Sequence, residues 1–139
     1  VKNIDSDGTE GKADGFVDTD FPVFRYADAL LMKAECAKRG ATGVDGLAAF
    51  NAVRKRAGLS EVQEYSLENV LQERACELYM EGWRRSDLVR FGKFTSASKL
   101  WQWKGGVKAG KGVSAHLNLF PIPSNDLNAN SNLVQNSGY

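Results

Sequence analysis

Between Phe24 and Arg39 apolar residues recur on two faces of one helix, and this pattern constrains the fold more than any other feature of the chain. Phe24, Ala27, Leu30, Leu31, Ala34 and Ala37 follow helical spacing, and Gly40 supplies a stop. Ala29, Met32 and Cys36 form a second stripe on the other side of the same helix. A helix apolar on two faces belongs inside a layered stack.

A second helix is expected over about residues 44–57, with Leu47, Phe50, Val53 and Ala57 on one face, Asp45 near its start and Gly58 just past its end. The connection through Gly40 to Gly43 is short, which makes the pair a helical hairpin. Ser66 opens a third helix, with Leu67, Val70, Leu71, Ala75 and Leu78 on its apolar face. Gly82 and Trp83 interrupt or bend it, and Ser86 to Phe91 forms a further short stretch that ends at Gly92. The expected fold class is therefore all-α.

The flanks differ in character. Residues 1–19 are acidic and lack apolar periodicity, so they read as an irregular arm before a domain over residues 20–139. The run from Asp5 fails the calcium-loop template, because its sixth position is Glu10 where glycine is required and its twelfth is Phe16 where glutamate is required. Residues 93–116 are rich in Gly and Lys and read as a long loop. His116 to Ile122 is expected to be extended, broken by Pro121 and Pro123, and an Asn-rich tail follows.

At 139 residues and 42% hydrophobic content the chain is one domain with a core of its own, and a net charge of +1 points to no nucleic acid or anionic membrane. No apolar run approaches the roughly 20 residues of a membrane span. The start at Val1 shows neither an initiator Met nor a signal segment, so the chain reads as an excised piece, with closing residues that look like a natural C-terminus. Cys36 and Cys76 are too far apart in sequence for a CxxC-type site and read as small buried hydrophobes that do not bridge.

Glu73, Glu77 and Glu81 form a carboxylate ladder on the third helix. Such a ladder repels itself unless cations intervene, and Arg74, Arg84 and Arg85 stand at helical spacing to supply them. Arg84, Asp87 and Arg90 continue the alternation. Paired carboxylates can serve a glycosidase, but catalysis needs two environments that push their pKa values apart, and interleaved arginines do the opposite. A structural ion-pair network is the expected role. His116 has no cluster of ligands around it, and the Gly-rich segment lacks the phosphate-binding GxxxxGK[ST] pattern, so neither a metal nor a cofactor is expected. Trp101 and Trp103 would point to one side of an extended stretch. They either pin the long loop to the helices or offer a stacking platform for a sugar ring.

Four ordered segments carry a resemblance. DFPVFRYADALLMKAE (residues 20–35), AFNAVRKRAGL (49–59), ERACELYMEGWRRSDLVRFG (73–92) and LFPIPSNDLNANSNLVQNSGY (119–139) closely resemble the signature blocks of the SusD/RagB family. Departures are Phe91 where Trp is usual, Asp126 for Glu, and Ser131 and Ser137 where proline is common. The resemblance implies a tetratricopeptide-like helical hairpin with further helices, the second face of the first helix packing on a neighbouring pair. It implies a non-enzymatic, glycan-binding lipoprotein on the outer-membrane surface, held by a lipid anchor outside this segment. The expected partners are a SusC-like TonB-dependent transporter and a glycan or other nutrient. The alternative it leaves open is a scaffold that contacts the transporter, with ligand bound by the upstream region. No sugar-binding residue of the family transfers onto these positions; Trp101 and Trp103 are candidates from their chemistry alone.

Overall fold

A computed structural model describes residues 7–11, 22–95, 102–103 and 106–139. Five helices follow in chain order: α1 (Tyr26–Lys38), α2 (Gly46–Arg56), α3 (Leu67–Glu77), α4 (Arg84–Arg90) and α5 (Ser124–Ala129), with a 3₁₀ turn at Ala115–Asn118 before α5. Among the described residues there is no strand longer than a single bridge residue.

The helix ends are written locally. Past α1 the chain turns left-handed at Gly40, with φ of 103°, so that Gly40 N–H reaches the Ala37 carbonyl and Ala41 N–H the Cys36 carbonyl. These are the two bonds of a Schellman closure, which needs a residue without a Cβ penalty at its pivot. Gly58 repeats the device after α2, where Leu59 N–H donates to the Arg54 carbonyl at 2.9 Å. Asp45 caps α2 by accepting from Ala48 N–H at 2.9 Å. Ser66 and Asn69 exchange bonds at the start of α3, each side chain accepting from the other's backbone N–H.

The core lies where α1, α2 and α3 meet. Ala27, Leu31 and Ala34 of α1 face Phe50 and Val53 of α2, with Val70 of α3 and Tyr65 closing the cluster. The Tyr65 ring stacks on Phe50 with centroids 4.8 Å apart, and its hydroxyl donates to the Ala34 carbonyl at 2.9 Å. That bond satisfies the polar end of an otherwise apolar anchor. Each fully buried side chain of this size contributes about 1.5–3 kcal/mol of transfer free energy. Leu71 and Leu88 are buried as well, one on α3 and the other on α4.

Several expectations change. α1 and α2 are each shorter than their apolar periods, because Arg25 and Asp45 stand outside the helices as cap residues. α3 ends at Glu77, before Gly82, and α4 begins at Arg84. Cys36 and Cys76 are free and exposed, since each lies on a helix face that the core leaves open. The extended run starts at Leu119, because Leu117 N–H closes a turn onto the Ser114 carbonyl. The last segment also contains α5, which Pro123 starts by presetting φ and offering its carbonyl to Asp126 and Leu127. Beyond it the polar side chains bind the segment to itself. The Gln135 amide both donates to and accepts from the Ile122 backbone, Asn136 donates to the Phe120 carbonyl, and the Tyr139 hydroxyl to that of Leu119.

Gly46 sets how closely α2 approaches α1, since a Cβ there would run into the Tyr65 hydroxyl and lie 2.5 Å from the Ala37 Cβ. Gly46→Ala is expected to cost about 1–3 kcal/mol in urea unfolding, as overpacking of a closed core does. An unchanged midpoint would show that the hairpin is not packed at this crossing.

Candidate functional site

The densest chemistry in the molecule is a set of ion pairs that joins α1, α3 and α4. Arg74 of α3 is 2% exposed, yet it carries a full charge. Its Nη1 donates to Asp28 Oδ1 of α1 at 2.6 Å and its Nε to Asp87 Oδ2 of α4 at 2.9 Å. Arg90 then links Asp87 to Glu35 of α1, donating to Asp87 Oδ1 at 2.8 Å and to both Glu35 oxygens at 2.9 Å. Arg39, just past α1, closes the series on Glu35 at 2.8 Å. Three guanidinium groups thus meet three carboxylates, and the network is neutral as a whole.

A second network ties α3 to α2 and to the start of α1. Glu73 pairs with Arg54 at 3.1 Å, Glu77 with Arg25 at 2.8 Å and Arg56 at 2.6 Å, and Glu81 with Arg25 at 2.8 Å. Arg25 also donates to the Glu77 backbone carbonyl, placing a cation on an open carbonyl at the end of α3 where the helix dipole favours it.

The ladder of Glu73, Glu77 and Glu81 is therefore neutralised, but not by the arginines that helical spacing suggests. Arg74 turns to Asp28 and Asp87; Arg84 donates to the Leu71 carbonyl. Arg85 donates to the Leu117 carbonyl and lies over the Phe120 ring at 3.9 Å, tying the last segment to α4. Of the expected alternation on α4, the pair Asp87–Arg90 forms. Asp28, Arg25, Arg54 and Arg56 escape a reading confined to neighbours along one helix, because their ion-pair partners are 19 or more residues away; Glu35 joins a distant partner, Arg90, to a near one, Arg39 at i+4. Asp28 and Glu35 did leave a signal: they sit at i and i+7 beside buried Ala27 and Ala34, on a face where an unpaired acid would be costly.

Burial pushes the Glu35 carboxyl up, but hydrogen bonds from Arg90 and Arg39, reinforced by their charges, outweigh it and hold its pKa below the usual range. Hydrogen bonding to Glu35 and Asp87 correspondingly raises the pKa of Arg90. Glu77 and Glu81, the carboxylates of a would-be catalytic pair, both accept from Arg25. Among the described residues no group of acids, His and Cys is arranged to hold a metal.

Aromatic side chains are distributed unevenly. Trp103 is 65% exposed and stands at φ of 63°. Trp101 lies outside the described residues. Trp83 is half-buried and, with Phe24, Met32 and Cys36, rims a cleft of about 340 Å³ above Asp28, Arg74 and Glu35. Met80, at φ of 66°, is 82% exposed in the turn between α3 and α4.

These features meet a known family. The family model described as "SusD family" matches residues 1–139. The chain belongs to the SusD family. It is 45% identical over 139 residues to the starch-binding protein SusD of Bacteroides thetaiotaomicron, covering 99% of this chain and 25% of that protein. A SusD-like protein of Formosa agariphila is 34% identical over 89 residues, 55% of this chain and 18% of its own length. Among solved structures, surface glycan-binding protein A from Bacteroides thetaiotaomicron superposes with a TM-score of 0.73 at 36% identity, over 87% of this chain and 25% of that one. A structure of surface glycan-binding protein A from the same organism in complex with laminarihexaose gives 0.72 at 34% identity, over 86% and 25% of the two chains. The all-helical SusD-like fold follows. The chain spans about a quarter of the length of these two Bacteroides proteins.

The lowered pKa of Glu35 fixes a pH dependence. With the folded pKa below an unfolded value of about 4.3, its contribution is complete above that pH and is lost as the pH falls through the folded pKa. The stability gap between the wild type and Glu35→Gln is therefore expected to be constant near neutrality and to shrink below about pH 4. Urea unfolding from pH 7 to pH 3 measures it, and a gap independent of pH would contradict the pairing.

Proposed function

We propose that this chain is part of a non-enzymatic glycan-binding component of an outer-membrane nutrient-uptake system. The observation that carries the reading is 45% identity, over the whole chain, to a protein that binds starch. A SusD-like chain solved with laminarihexaose supports it from the side of structure. The whole protein, on this reading, sits on the cell surface through a lipid anchor outside these residues and hands its ligand to a SusC-like TonB-dependent transporter.

Sugar binding of this kind needs an aromatic face and hydrogen-bonding groups, with no covalent step. Trp103 is the exposed indole available for stacking, and Trp101 is its companion in sequence. A second reading has its own support. The carboxylates and guanidiniums of both networks are engaged within the chain, as suits a scaffold whose ligand contacts and transporter-facing surface lie elsewhere in the protein.

A polysaccharide panel, read by affinity electrophoresis and calorimetry on this chain and on the natural polypeptide that carries it, separates the two. The expected result is that both bind the same glycan and that Trp103→Ala weakens the affinity by about 1 kcal/mol. Binding by the longer polypeptide alone, unaffected by Trp103→Ala, would select the scaffold reading. Binding by neither would overturn the glycan assignment.

A further inference from the structure

The positive charge of the chain is concentrated in one stretch. Residues 93–116 hold five of the 18 lysines and arginines and none of the 17 acids, so the rest of the chain is net acidic. The stretch is fastened near both ends, by the pair of Lys93 with Glu68 of α3 and by the buried Val113. Between these points Gln102, Trp103, Lys108 and Lys111 are exposed. The arginines of the two networks are engaged by carboxylates, whereas Lys108 and Lys111 enter no ion pair among the described residues.

Two turns in series hold these groups together. Gly106 N–H donates to the Trp103 carbonyl at 3.1 Å, and Gly110 N–H to that of Val107 at 2.9 Å. Each turn brings its ends within about 7 Å, so the Trp103 and Lys108 backbones lie no more than about 15 Å apart. Trp103 adopts φ of 63°, a strained conformation for a bulky aromatic residue, and at 65% exposure little packing offsets that strain. Residues held in this way gather at ligand clamps.

An indole face receives the apolar face of a pyranose. A lysine ammonium is a compact, strongly hydrated charge, and a neutral sugar offers it only hydroxyls in exchange for water. A carboxylate or sulfate ester on the sugar offers it a charge-assisted bond.

We propose that Trp103, Lys108 and Lys111 form a subsite for an anionic polysaccharide, with one pyranose stacked on the indole and acidic groups of neighbouring units on the two ammonium groups. The subsite rests on the glycan-binding reading above and narrows it to a ligand class, a polymer of uronic acid or of sulfated sugar. In such a polymer the charge recurs along the chain and meets lysines that the two turns set apart.

The natural polypeptide that carries this chain is titrated with polygalacturonate, a sulfated galactan, starch and polyglutamate, beside Trp103→Ala and the double change Lys108→Gln with Lys111→Gln. The expected result is binding of an acidic glycan whose affinity falls about 10-fold from about 50 to about 200 mM salt, as counterion release gives for about two neutralised charges. Whichever acidic glycan binds identifies the acid. Its affinity is expected to fall in both variants, starch to be indifferent to the lysine changes, and polyglutamate, which has no ring to stack, not to compete. Unchanged affinity for the acidic glycans in the lysine variant overturns the proposal, and so does equal competition by polyglutamate, which would reduce the lysines to a non-specific polycation. Starch binding that depends on Trp103, with no acidic glycan bound, also overturns it and leaves the glycan-binding reading standing; no glycan bound at all overturns both.

Discussion

Arg74 leaves water almost completely, and it does so between two carboxylates that other helices supply. A buried guanidinium loses several kcal/mol of hydration, and only close, well-directed partners offset that loss. Asp28 from α1 and Asp87 from α4 meet this condition at 2.6 and 2.9 Å. The positions of three helices are thereby fixed to one another by a requirement of charge, where an apolar contact alone would tolerate sliding and rotation. Arg90, Glu35 and Arg39 extend the same requirement along α1. Weaker pairs at the surface, such as Lys93 with Glu68, add little by comparison.

The apolar core and the charged network divide the work. Leu31, Phe50, Val53 and Val70 supply most of the gain from burial, concentrated between α1, α2 and α3. α4 is only seven residues long and buries Leu88 as its one fully enclosed apolar side chain. Its orientation therefore rests on Asp87 and Arg90. The same is true of the last segment, which holds α4 through Arg85 and holds itself through Gln135, Asn136 and Tyr139. The carboxylates and guanidiniums of both networks are thus committed to bonds within the chain.

Sequence periodicity made α1 to α4 legible because each helix carries its own start or stop: Asp45 and Ser66 as caps, Gly40, Gly58 and Gly92 as left-handed exits. The four family segments located the unit within a known fold. Of the pairing of charges Asp87–Arg90 was legible; most of the rest was not, since a sequence displays neighbours three or four residues apart and the decisive bonds join residues 13 to 56 apart, such as Arg74 to Asp87 and Arg25 to Glu81. Cys36 and Cys76 misled for a related reason: their chemistry favours burial, but the helix face on which each stands is open here. α5 was hidden by the polar composition around it, although Pro123 marks its start.

The central claim is that the Asp28–Arg74–Asp87 bridge sets the helix arrangement, and a double-mutant cycle between Asp28→Asn and Arg74→Met tests it most directly. Each single change leaves charge without its partner, so each is expected to cost about 3–5 kcal/mol in urea unfolding. The double variant should cost less than the sum of the two by at least about 2 kcal/mol, the coupling of groups in direct contact. Additive costs, or single changes worth less than about 1 kcal/mol as at an exposed pair, would contradict it and leave the apolar core alone to explain the fold.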